Sequence, residues 1–248
     1  MNEADMERKR LEELARRAAR AGMRVYTKFL DPALEKECAF AAAGAGAQLE
    51  LWGGYPDAER RVAAFCDDAD EEADWPVVCL RLSWNPQYGA PGHRDLLGAL
   101  MGLGIAREET GDIVVGEGEA FLFALEEIAD YIAANLDAAG RTKLRITRVE
   151  GQAELPEPKG DRVRETVASE RLDAVLAAGW NLSRAEAQKL IRGGLVKLNH
   201  VEETRTDAHL EAGDLISARG YGRLKVLEFP GMTRRGRCAV ILFRYGGR

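Results

Sequence analysis

The sequence has no run of about 18 uninterrupted apolar residues, the length a helix needs to cross a bilayer, and no Cys-x-x-Cys pair among Cys38, Cys66, Cys79 and Cys238. The first absence excludes a helical membrane span. The second argues against both a zinc site and a disulfide framework, and for thiols buried as small hydrophobes. Histidine is scarce: His93, His200 and His209 stand too far apart to form a helical metal pair. There is no Gly-x-Ser-x-Gly nucleophile elbow. The glycine strings "GLGIA" (102–106) and "GEGEAF" (116–121) read as a helix end and a hairpin turn, not as the strand-to-helix loop that cradles a nucleotide cofactor. No cofactor, no metal and no catalytic residue are expected. The opening "MNEADMERKRLEELARRAARAG" mixes acids and bases without the apolar centre of a secretion signal, so a cytoplasmic chain without membrane contact is expected. A monomer is expected as well.

What the chain does have is a divided charge. The net charge is −6, yet from Glu165 onward 14 Lys and Arg stand against 10 Asp and Glu, while the preceding 164 residues carry 21 against 31. A basic last third behind an acidic body suits a tail end that meets a polyanion while the remainder stays in solution.

The length of 248 residues allows two or three modest domains, and the pattern is α+β throughout. Residues 5–21 predict an exposed helix, and "LDPALEKECAFAAA" (30–43) a second, with Asp31 as N-cap and Pro32 in its first turn. "AQLELWGG" and "RRVAAFC" predict strands, and the acidic run "DDADEEADWP" (67–76) a first boundary. Next comes a strand, "VVCLRLSW" (77–84), with Val78, Leu80, Leu82 and Trp84 on one face, then a helix over 93–106, a hairpin over 112–125, a helix over 125–140 and a last strand, "TKLRITRVE". This β-α-β-β-α-β order is the ferredoxin-like plan, shared with the RNA-recognition motif. Its open sheet face is expected to carry Arg81, Lys143 and Arg145 rather than stacking aromatics. "LPEPKGDR" (155–162) reads as a second linker. The expected division is an N-terminal α/β domain at 1–75, an RNA-recognition-motif-like domain at 76–155, a linker at 156–168 and an RNA-binding domain at 169–248 with a C-terminal strand extension.

The densest information lies in "RLDAVLAAGWNLSRAEAQKLIRGGLVKLN" (171–199). Leu172, Val175 and Leu176 share one arc of a first helix that stops at Gly179. Ser183 caps a second helix, with Glu186 completing a capping box. On that helix Ala187, Leu190 and Ile191 fall on one side, and Arg184, Lys189 and Arg192 on the other. Two strands follow around "RGYGR", bringing Arg219 and Arg223. Planar guanidiniums on a rigid surface match paired phosphate oxygens.

This stretch with "LEAGDLISARG" (210–220) resembles the RNA-binding module named after small-subunit ribosomal protein S-four, also called the alpha-L motif. Together with "GGYPDAERRVAAF", "GHRDLLGALMGLGIAREETGDIVV" and "ARGYGRLKV", nearly the whole chain resembles the bacterial YlmH-like proteins. The resemblance implies a non-catalytic protein that binds rRNA and tRNA on the large ribosomal subunit, in ribosome-associated quality control of stalled nascent chains. It also implies an RNA face made of Arg171, Ser183, Arg184, Lys189, Arg192 and Lys197, to which Arg219 and Arg223 are added from the strands. The same module is attached to RNA-modifying enzymes, so an enzyme of the pseudouridine synthase or methyltransferase type, docking through the module, stands as the alternative. Against it, the strings nearest to the Gly-Arg-Leu-Asp motif of pseudouridine synthases are "ERLD" (170–173), inside the module's own first helix, and "GRLK" (222–225), with Lys225 in the aspartate's place.

Overall fold

The computed structural model describes residues 3–67, 73–158, 160–234 and 236–246. It divides into two compact units, Met1–Pro156 and Glu157–Arg248. Residues 68–72 of the acidic run, expected as the first boundary, lie outside the described residues.

The first unit opens with α1 (Glu3–Ala21), followed by β1 (Val25–Phe29), α2 (Glu35–Ala45), β2 (Gln48–Trp52) and β3 (Val62–Cys66). The three strands form an antiparallel sheet in the order β1-β3-β2. Asp31 accepts the backbone N–H of Ala33, as a cap should, but Pro32 begins a short 3-10 turn ahead of α2. Strand β1 is missed by the sequence pattern: "VYTKF" is short and both of its sides are largely covered, so it shows no clean alternation.

Behind it come β4 (Val77–Ser83), α3 (His93–Gly102), β5 (Thr110–Val115), β6 (Glu119–Leu125), α4 (Glu126–Asn135), β7 (Ala138–Ala139), β8 (Thr142–Lys143) and β9 (Arg145–Arg148). Strands β5-β6-β4-β9 form a four-stranded antiparallel sheet, and β7 and β8 a separate ribbon. Val78, Leu80, Leu82 and Trp84 all face one core, which they share with Leu96 and Leu100 of α3 and Ala129 and Ile132 of α4.

The opposite face of that sheet is not the cationic surface the sequence suggests. Lys143 belongs to the two-residue ribbon and Arg81 is paired with Glu119 at 2.6 Å; Arg145 remains exposed on edge strand β9. The row beside Arg81 holds Phe121, and the next holds Cys79 opposite Phe123. These apolar side chains are buried against Phe29, Val62 and Tyr55 from the N-terminal sheet segment. Alternation over "AFLFAL" is hidden because both sides of β6 are apolar, the signature of a strand buried on both faces. Gly54 permits the close approach: a Cβ there would stand 2.2 Å from the Phe123 ring.

A polar joint reinforces this packing. The Asp112 carboxylate accepts from Tyr55 Oη (2.9 Å), Glu59 N (2.6 Å) and Arg60 N (3.2 Å). The Arg60 guanidinium donates to the carbonyls of Thr110, Phe29 and Arg107. Burial lowers the Arg107 guanidinium to about 10, with repulsion from Arg60 adding to the effect. Thus "GGYPDAERR" and "AREETGD" are two halves of one structural joint.

The second unit is built on β10 (Gly160–Val167), α5 (Leu172–Gly179), α6 (Arg184–Arg192), β11 (Val196–Leu198), β12 (Val201–Glu202), β13 (Leu215–Ala218), β14 (Gly222–Met232) and β15 (Cys238–Tyr245). The six strands form one antiparallel sheet in the order β10-β15-β14-β13-β11-β12. The span 156–168, expected as a linker, therefore contains a full strand, whose eight residues pair with all of β15. Its alternation of Val163 and Val167 with Arg162 and Arg164 is the half-buried pattern of an edge strand, obscured in the sequence by "PEPKG" ahead of it. One sheet face carries Val196, Ile216, Leu224, Val226, Val240 and Leu242, packed on Leu172, Val175 and Leu176 of α5 and Ala187 and Ile191 of α6.

Candidate nucleic-acid interface

Helix α6 begins as its sequence dictates. Ser183 Oγ accepts the N–H of Glu186 at 3.2 Å, and the Glu186 carboxylate accepts the Ser183 N–H at 2.9 Å. Ser183 is therefore spent on the cap, and its hydroxyl also donates to Glu186 at 2.7 Å.

The organising residue of the helix pair is Asp173, which the sequence offers, with Glu170, as a neighbouring partner for Arg171 but does not link to Arg184 or Gln188. Its side chain is completely buried. It accepts two hydrogen bonds from Arg171 (3.2 and 3.3 Å), two from Arg184 (3.1 Å each) and one from Gln188 (2.8 Å). Burial alone would raise its pKa, but the hydrogen bonds from Arg184, Gln188 and Arg171 outweigh it and hold the carboxyl at about 2. The same bonds raise Arg184. The backbone N–H groups of Leu172 and Asp173 are also occupied, by the carbonyls of Ala208 and Thr206, so the start of α5 offers no free anion site.

Arg171 and Arg184 thus face two ways. Each binds Asp173 through Nε and Nη2, while 39% and 47% of their side chains remain exposed. The carboxylate fixes both guanidiniums as a pair of partly exposed forks. The spacing of 11 residues between Asp173 and Arg184 crosses the turn between helices, where no periodicity reveals it.

Lys189 and Arg192, one turn and two turns further along α6, are exposed, as are Lys197 and Arg219; none has a side-chain ion pair among the described residues. Lys197 lies opposite Ser217, and Ser217 opposite Arg223, so Lys197 and Arg223 occupy one cross-strand row on the sheet face turned away from the core. There Arg223 covers the Tyr245 ring at 4.7 Å. Arg219 sits at the β13–β14 turn, its N–H bound to the Leu195 carbonyl just beyond α6. The structure sorts the eight expected residues into three groups: Arg171, Ser183, Arg184, Lys189 and Arg192 along the helix pair, Arg219 at the adjoining turn, and Lys197 with Arg223 on the outer sheet face. Among the described residues no group of three or more His, Cys, Asp or Glu side chains could hold a metal ion, and no helix is long and apolar enough to cross a membrane.

Comparison with known proteins places this geometry in context. Residues 70–153 match the family described as "Putative RNA-binding domain in YlmH", and residues 170–216 match the S4 domain. The chain is similar to the "Ribosome-associated protein quality control protein P2" of Bacillus subtilis (strain 168), with 32% identity over 221 residues, which is 88% of this chain and 86% of the relative. Among solved structures it resembles the "Cell division protein ylmH from Streptococcus pneumoniae" at a TM-score of 0.55 and 16% identity, over 63% of this chain and 97% of that one. That likeness concerns the fold.

Proposed function

The chain belongs to the YlmH-like family of RNA-binding proteins with a C-terminal S4 domain, and from that premise we propose that it binds rRNA and tRNA on the large ribosomal subunit, in ribosome-associated quality control of stalled nascent chains, without catalysing a reaction. The observation that carries this reading is the helix pair of the second unit. A buried carboxylate presents two arginine forks beside Lys189 and Arg192, exposed cations without an ion pair among the described residues, and together they make a rigid array suited to phosphates of folded RNA. The relative's printed name supports the ribosomal setting. In this reading the first unit contains an RNA-recognition-motif-like sheet whose face away from its helices is already covered, so no base stacking is assigned to it.

Sedimentation of the full chain with purified 50S particles tests the proposal. The protein is expected to travel with 50S, more so when the particles carry peptidyl-tRNA, and the double variant Lys189→Ala/Arg192→Ala to remain at the top of the gradient. Equal occupancy by wild type and double variant would remove the helix pair from the interface.

A further inference from the structure

Tyr221 stands at the tip of the β13–β14 hairpin with 43% of its surface exposed, and the charge-based reading of the site gives it no task. The tip is built to hold it out. Gly220 and Gly222 on either side adopt φ of 87° and 97°, and a Cβ on either would meet nothing within 4 Å, so the turn projects into open space. The Tyr221 N–H closes the turn on the Ala218 carbonyl at 3.0 Å, and Arg219 N–H ties its base to Leu195 at 2.9 Å. The ring rests against Trp180, with centroids 5.8 Å apart. Trp180 in turn packs on the core, with its indole N–H buried and unbonded among the described residues. An unpaired buried donor is a cost that packing must offset, and here that packing sets a second ring beneath the first.

The surroundings select the occupant. Arg219, exposed, stands two residues before the ring on the same turn, and its N–H is bound to Leu195, partly exposed, which follows Arg192 and the end of α6. A fixed aromatic on a cation-bearing surface is the arrangement that takes nucleobases out of solution, since every base has a face to stack and a phosphate alongside. We propose that Tyr221 stacks on an unpaired nucleobase of the bound RNA, so that the module recognises a place where a helix gives way to an unstacked nucleotide. This inference rests on the RNA-binding reading above.

The test uses the full chain and two probes: a stem-loop RNA with 2-aminopurine at one unpaired loop position, and a blunt duplex of the same stem. Wild type is expected to quench the 2-aminopurine on binding and to prefer the stem-loop. Tyr221→Ala is expected to abolish the quench and weaken stem-loop binding about tenfold, while leaving duplex affinity and the salt slope unchanged. Tyr221→Phe should behave as wild type. Tyr221→Leu keeps apolar bulk against Trp180 without a stacking face, and should lose the quench with the fold intact by circular dichroism. Unchanged quench and affinity in both Ala and Leu variants would overturn the stacking role, even if Lys189→Ala/Arg192→Ala still loses both probes. Unchanged binding in that double variant would instead overturn the underlying RNA face.

Discussion

Replacing Asp173 with asparagine tests the central claim that one buried carboxylate organises the helix pair. The change keeps the shape of the side chain and removes the charge that two arginines and Gln188 converge on. The carboxyl sits at about 2 against an ordinary 3.8, and a gap of that size corresponds to about 2 kcal/mol of preference for the charged, folded form. Because the folded pKa is depressed, this contribution is complete above about pH 4 and is lost as the pH falls towards about 2. The substituted amide would also turn its own N–H₂ towards donors, so the loss at neutral pH is expected to reach about 2–3 kcal/mol. For a unit of this size that is a fall of roughly 8–20 °C in melting temperature. Hydrogen exchange read by mass spectrometry on the full chain localises the effect: amides in 172–192 should exchange about 30-fold faster or more, from the same free-energy loss. Exchange in the first unit should not change. Wild-type protection across 172–192 in the Asp173→Asn variant would refute the clamp.

Other outcomes follow from the same geometry. Arg184→Ala removes one of the partners of Asp173, so in addition to weakening RNA binding it should cost about 1 kcal/mol of stability, discounted for its exposure; an unchanged melting temperature in calorimetry would return it to a pure surface cation. Lys189→Ala/Arg192→Ala should leave melting within experimental scatter and lower the slope of log binding constant against log salt by about 2, measured by fluorescence anisotropy. A C-terminal fragment starting at Glu157 should give a dispersed amide spectrum, whereas one starting at residue 169 lacks β10, leaves β15 paired to β14 alone with its other edge open along its whole length, and should be molten or aggregated; two equally dispersed spectra would contradict the pairing. Phe123→Ala should destabilise the first unit by about 3–5 kcal/mol, as a fully buried aromatic truncation, and a loss below about 1 kcal/mol in urea titration would mean that the two sheets do not pack through this ring.

Local chemistry determined the second unit's helices and their cationic side. Ser183 and Glu186 form a capping box wherever that quartet begins a helix, and Ala187 and Ile191 must face inward together because they lie one turn apart on the same arc. In the same way the alternation of Val78, Leu80, Leu82 and Trp84 set one face of β4 against the helices behind it. Such features depend on neighbours within a turn or two of chain, so the sequence carries them in full. Tertiary structure decided what depends on distant partners. It made β10 a strand, because an exposed edge segment is defined by pairing with β15, over 70 residues away. Packing also closed the face of the central sheet, because Phe121 and Phe123 reveal their burial only when Phe29 and Val62 arrive to cover them. The assignment of Arg184 changed likewise: it reads as a solvent-facing cation until the fold brings the fully buried Asp173, 11 residues away, within hydrogen-bonding distance, where an unpaired charge would be too costly to bury.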